Sequence, residues 1–168
     1  MPTALDLFER HHVAVFRFLR RMELSAPDAE DLTQEVFLRV LRTVGSYEER
    51  QLERAWVFRI ARNVWLDHWR VRRRAPLQEP FSEPNVGTTG TTRIDGLALD
   101  QALTQLGEAE REAFVMRELG GLSYLEIAEA TGATADAIRN RIHRARLALR
   151  KVLGEGQALV AANRALEK

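Results

Sequence analysis

The sequence predicts an all-α protein of two small helical domains joined by a flexible linker, the C-terminal domain being a helix-turn-helix. Three observations carry this. Apolar residues recur at helical spacing through residues 3–74 and 97–153, with no strand-like alternation of any length. Between them, PLQEPFSEPNVGTTGTTRIDG at 76–96 holds three of the five Pro and three of the ten Gly, without periodicity. That interruption is too long for a connection inside a compact domain, so it reads as a linker. The divisions are therefore 1–75, 76–96 and 97–153, with 154–168 a C-terminal extension that is either a short helix or a frayed tail.

In the first domain, residues 3–22 place Leu5, Phe8, Val15, Phe16 and Leu19 at helical spacing. Ser25-Ala26-Pro27-Asp28 is a helix start: a capping Ser, Pro in the first turn and an acid three residues on. Leu32, Val36, Phe37, Val40 and Leu41 continue as an apolar stripe ending near Gly45. A third helix covers about 53–74, with Val57, Ile60, Ala61, Val64 and His68 on one face. Cores of this size are marginal unless the helices also pack on a partner.

The second domain carries the sharper signal. Ser123 and Glu126 form a capping box that opens a short helix with Leu125, Ile127 and Ala128. Gly132 gives the freedom for a tight turn, and Thr134 can cap a longer helix whose buried face is Ile138, Ile142, Ala145 and Leu149. At 100° per residue, Asp136, Asn140, His143 and Arg144 point away from that stripe, flanked by Arg139, Arg146 and Arg150. Asn and Arg read adenine and guanine edges, and flanking Arg suit phosphates. A solvated basic face is the plain alternative, but the capped helix and Gly turn directly upstream favour DNA.

Two helices of the first domain have opposite characters. Residues 55–74 set Phe58, Arg62, Trp65 and Trp69 near one stripe, with Arg59, Asn63 and Arg70 beside it. Rings interleaved with guanidinium groups suit single-stranded nucleic acid, where bases stack and phosphates pair, although such rings also fill helical cores. The preceding helix crowds Asp28, Glu30, Asp31, Gln34 and Glu35 into its first turns. Acids there favour the helix dipole, and they suit a protein partner better than DNA.

Composition excludes several classes. The 168 residues include no cysteine, so there is no disulfide framework, cysteine-ligated zinc or thiol nucleophile. Net charge is only +1, but 23 of the 25 basic residues are Arg. No stretch approaches a transmembrane length, and MPTALDLFER lacks the order of a signal peptide, so a cytoplasmic protein without membrane insertion is expected. There is no P-loop, HExxH or GxSxG, and adjacent Asp67 and His68 point about 100° apart on a helix. His11 and His12 have no ligand partners at metal spacing. No catalysis, cofactor or metal is expected.

These segments resemble the extracytoplasmic-function sigma factors of the sigma-70 family, in order and spacing, over roughly residues 5–153. DAEDLTQEVFLRVLR resembles the polymerase-binding part of region 2, and AWVFRIARNVWLDHWRVRRR the part that melts and reads the −10 element. GLSYLEIAEATGATADAIRNRIHRARLALRKVL resembles region 4, which reads the −35 element. The resemblance implies that Asp31, Gln34, Glu35 and Phe37 dock on the β′ clamp helices of core polymerase. It places Tyr47, Asn63 and the neighbouring Arg59, Arg62 and Arg70 at −10 DNA. It places Arg139, Asn140, His143 and Arg144 at the −35 duplex. It also implies contact with the polymerase β flap, an anti-sigma factor as inhibitor, and a linker threaded toward the polymerase active site. Gly107 and Glu108 stand where the family often has Pro. A helix-turn-helix regulator with a ligand-sensing or dimerising first domain is the other class, though an acid-rich helix beside an aromatic-Arg helix is awkward for a pocket.

Overall fold

The computed structural model describes residues 1–22, 25–49, 52–74 and 92–154, leaving aside the side chains of 92–97. The described residues form seven α-helices: α1 (Ala4–Arg21), α2 (Ala26–Thr43), α3 (Glu53–Arg74), α4 (Thr92–Thr104), α5 (Glu108–Glu118), α6 (Tyr124–Thr131) and α7 (Ala135–Leu153). A 3-10 turn, Val44–Ser46, follows α2. Most of the expected linker and the extension beyond 154 lie outside the described residues. The helix α4 begins at Thr92, inside the span assigned to the linker, because Gly96 masked a helical segment in the sequence pattern.

Side-chain caps fix the starts of α1, α2, α6 and α7. Ser25 Oγ accepts from the Asp28 amide at 3.2 Å, and Ser123 and Glu126 form the reciprocal box, with Glu126 Oε2 2.7 Å from the Ser123 amide. Thr3 and Asp6 make a second box that the sequence pattern did not single out. Gly132 ends α6 at φ 74°, a left-handed conformation that a side chain would strain.

The first lobe packs α2 against both α1 and α3. Its α1 is rotated from the expected stripe: Leu7, His11, Val15, Phe18 and Leu19 are buried, while Leu5 and Phe8 are exposed. A histidine fits that buried stripe because its Nε2 lies 2.7 Å from Glu53 Oε1 on α3, while Arg10 holds the other carboxylate oxygen at 2.9 Å. Burial raises the Glu53 carboxyl, but these hydrogen bonds outweigh it and leave the group below its ordinary value.

In the second lobe, α4, α5 and α6 pack on α7. The α7 stripe of Ile138, Ile142, Ala145 and Leu149 is buried as the spacing predicts. Arg111 is buried at the C-terminal end of α4, donating to the carbonyls of Leu103 at 2.8 Å, Thr104 at 3.3 Å and Leu106 at 3.4 Å.

The two lobes are packed together. α3 lies along α6, α1 meets α5, and one apolar cluster runs through both. Gly120, between α5 and α6, permits this approach: a Cβ there would sit 2.6 Å from the Met116 carbonyl oxygen and 3.1 Å from the Phe58 ring. Two marginal cores thereby become one larger one.

Candidate nucleic-acid interface

The α7 surface is the plainest candidate. Asp136, Arg139, Asn140, His143, Arg144, Arg146 and Arg150 are all exposed. Their helix is held by its opposite face, so the exposed side is rigid where it meets a ligand. Arg139 lies 3.3 Å from Asp136, and Arg144 3.8 Å from Glu110. Arg146 is held more firmly, its guanidinium 2.9 Å from Glu118, whose hydrogen bond raises the Arg146 pKa. The sequence pattern placed Arg146 at a phosphate; in this structure it first braces α7 against α5.

The α3 face differs from the expected stacking platform. Phe58 and Trp65 are buried, and the Trp65 indole donates to the Met22 carbonyl at 3.3 Å. Trp69 meets Trp65 edge to face, with centroids 6.4 Å apart. These rings are core, because a three-helix bundle needs large side chains to fill it. Tyr47 is buried too, its ring 5.2 Å from that of Trp56, and burial raises its hydroxyl pKa. Its ring is therefore not presented to a base in this arrangement. Asn63 and Arg70 are exposed, while Arg59 and Arg62 are half-buried under the second lobe. Arg59 bonds the Glu129 carboxylate and, at 2.9 Å, its carbonyl; Arg62 bonds the Glu112 carboxylate.

On α2, Asp31 and Gln34 are exposed in one row with Leu38 and Leu41. Glu35 is partly neutralised by Arg39 at 2.8 Å, which also reaches Asp67 at 3.0 Å; these bonds raise the Arg39 pKa. Phe37 is half-buried against the Phe8 ring. Sequence periodicity assigned Leu41 to the core and passed over Leu38, yet both are surface residues, 61% and 47% exposed. An exposed row mixing acid, amide and leucine has the make-up of a protein-docking surface.

Residues 7–75 match the family model Sigma-70 region 2, and residues 96–149 match Sigma-70, region 4. Over 162 residues the chain is 36% identical to RNA polymerase sigma factor CarQ of Myxococcus xanthus, covering 93% of this chain and 92% of that one. The chain belongs to the sigma-70 family as an extracytoplasmic-function sigma factor. It is also 36% identical over 163 residues to ECF RNA polymerase sigma factor SigE of Mycolicibacterium smegmatis, covering 92% of this chain and 63% of that relative's length. Among solved structures it resembles CnrH in complex with the cytosolic domain of CnrY, with a TM-score of 0.72, 25% identity, and 91% and 88% of the two chains covered. The fold also matches the sigma factor RpoE of Bartonella quintana in complex with the anti-sigma factor NepR, at TM-score 0.72 and 24% identity over 89% and 95% of the chains.

In this sigma factor the candidates Arg59, Arg62, Asn63 and Arg70 lie on α3, Tyr47 follows the 3-10 turn, and the candidates of the second lobe lie on α7. The sequence pattern did not single out Glu112 and Glu129, since each pairs with an arginine far away in sequence. Burial raises the Glu112 carboxyl although Arg62 opposes it. Near the end of α3, His68 Nε2 is buried with no hydrogen-bond partner among the described residues. Burial holds its imidazole below the ordinary value, helped by Arg72 and opposed by Asp28. Its favourable contribution is therefore complete above about pH 6.5 and is lost as pH falls through its depressed value. Urea unfolding at pH 7.5 and 5.5 checks this: the wild-type midpoint drops more on acidification than that of His68→Gln. Equal drops would show that other groups carry the acid sensitivity.

Proposed function

We propose that this sigma factor directs core polymerase to promoters by docking through α2 on the clamp helices, reading the −10 element with α3 and the −35 element with α7. The second lobe also meets the polymerase flap, an anti-sigma factor holds the protein inactive, and the chain acts in the cytoplasm without catalysis of its own. The observation that carries this reading is the α7 face. Asn140 and Arg144 lie one turn apart on it with His143 beside them, exposed on a helix locked by four buried residues. That spacing reaches neighbouring base edges in one major groove. Arg150 lies to the side, where a phosphate sits.

A randomised −35 library transcribed with purified core polymerase tests it. Arg144→Ala costs about 1–3 kcal/mol at particular −35 positions and relaxes preference there, whereas Arg150→Ala weakens output evenly. Equal loss from every sequence with Arg144→Ala would make this Arg a phosphate clamp. A regulator of the other class would bind its duplex without polymerase and start no RNA.

A further inference from the structure

Tyr124, the first residue of α6, faces arginines from two other helices. The Arg117 guanidinium of α5 lies over its ring, 4.8 Å from the centroid, and that of Arg139 on α7 lies over it at 5.6 Å. Arg146 is close as well: its pKa is raised first by the Glu118 bond and, as a lesser cause, by Tyr124. Ser123 caps α6 directly before this residue, and the ring is half-buried against the core, so backbone and packing both fix its place. Arg117 is half-buried and anchored in turn, donating to the Leu122 carbonyl at 2.9 Å. Arg139 is exposed, and its one printed ion pair, to Asp136 at 3.3 Å, uses a single terminal nitrogen. A cation over a ring spends none of its N–H donors, so this contact leaves the Arg139 fork free for the paired acceptors of a guanine edge.

We propose that Tyr124 is a positioning residue for −35 recognition: its ring holds the Arg139 guanidinium in the direction from which that arginine reads a base edge. This rests on the −35 reading of α7 and adds to it a residue outside the recognition helix. Spacing along α7 places Arg139 on the outward face but leaves open where so long a side chain points. The ring supplies that direction, and ordering the side chain before DNA arrives lowers the entropy lost on binding. Without the ring, Arg139 stays on the same face yet samples other rotamers, which bring it to neighbouring bases and phosphates alike. Preference at one position is then lost while affinity for DNA in general changes little.

Two measurements on the full chain test this. A guanidinium over an aromatic ring has its Nε proton shifted upfield, and nitrogen-15 NMR with Arg139→Lys assigns the Arg139 signal in the free protein. The upfield shift is present in wild type and in Tyr124→Phe and is lost in Tyr124→Leu. The same variants then transcribe a randomised −35 library with purified core polymerase. Tyr124→Leu relaxes preference about two- to fivefold at the position that Arg139→Ala relaxes, the range for an exposed cation–π contact, while Tyr124→Phe keeps it. In an Arg139→Ala background Tyr124→Leu changes that position no further, because the ring then has no arginine to direct. Since Tyr124 is half-buried, Tyr124→Met is the second variant, filling the site with a flexible apolar chain. It gives the same losses, with helical circular dichroism unchanged in both. An unshifted Arg139 signal in wild type would overturn the contact, and unchanged preference in Tyr124→Leu and Tyr124→Met would overturn the positioning role. So would equal weakening of every sequence by Tyr124→Phe and Tyr124→Leu, which would put the hydroxyl on a phosphate. If the shift stands but Arg139→Ala relaxes no position, the base-reading role of Arg139 is what fails, and the proposal falls with it.

Discussion

Phe58→Ala lowers the unfolding free energy by about 3–5 kcal/mol, the range for removing a fully buried ring that its surroundings cannot refill. Phe58 is 0% exposed and packs edge to face on Phe18, with centroids 5.6 Å apart at 64°. Its outer edge reaches the backbone of Gly120 in the other lobe. The ring therefore fills space that α1, α3 and the α5–α6 turn all border, and its loss leaves a cavity that moving one helix cannot close. Urea titration followed by helical circular dichroism measures the change. Phe58→Leu, which restores most of the volume, recovers more than half of it. A loss below about 1 kcal/mol for the Ala variant would mean that the site collapses freely and the lobes are not anchored through this ring.

Arg111→Leu costs about 3 kcal/mol, for a reason unrelated to apolar packing. The Arg111 guanidinium ties down the carbonyls of Leu103, Thr104 and Leu106 where α4 ends and the chain turns into α5. The end of a helix carries unsatisfied acceptors and partial negative charge, so a cation there is favoured twice over. Leucine keeps the apolar stem and leaves two buried carbonyls without that donor, the circumstance in which desolvation is most costly. Hydrogen exchange of residues 99–106 localises the effect: the last turn of α4 loses protection while α7 keeps it. Arg111→Lys restores charge without the fork and recovers only part, because one ammonium cannot span acceptors on both sides of the turn. Full recovery by Lys would reduce the role of Arg111 to its charge.

Most features that lie within a few residues were legible in the sequence, the Thr3–Asp6 box and the start of α4 being the exceptions. The Ser25 cap, the Ser123–Glu126 box, the turn at Gly132 and the α7 stripe depend on hydrogen bonds and spacings spanning three or four positions. So the seat of α7, and which of its residues face outward, could be derived before any tertiary contact was known. The family resemblance likewise followed from motif order along the chain.

What the sequence alone could not decide concerns residues that meet only after the helices pack. A stripe of Leu5 and Phe8 and one of Leu7 and His11 both fit an α1 helix; Glu53 on α3 decides for the second by giving His11 a partner 42 residues away. Rings and arginines interleaved on α3 fit a stacking platform as well as a core, and packing against α1 and α2 sends Phe58 and Trp65 inward. The pairing of Arg62 with Glu112 spans 50 residues and that of Arg59 with Glu129 spans 70. Periodicity within one helix records which residues share a face but not what that face meets. The sequence of this protein therefore determined most of its helices and caps and the outward face of α7, whereas only the tertiary structure decided that the two lobes lie against each other, through charges whose partners sit on separate helices.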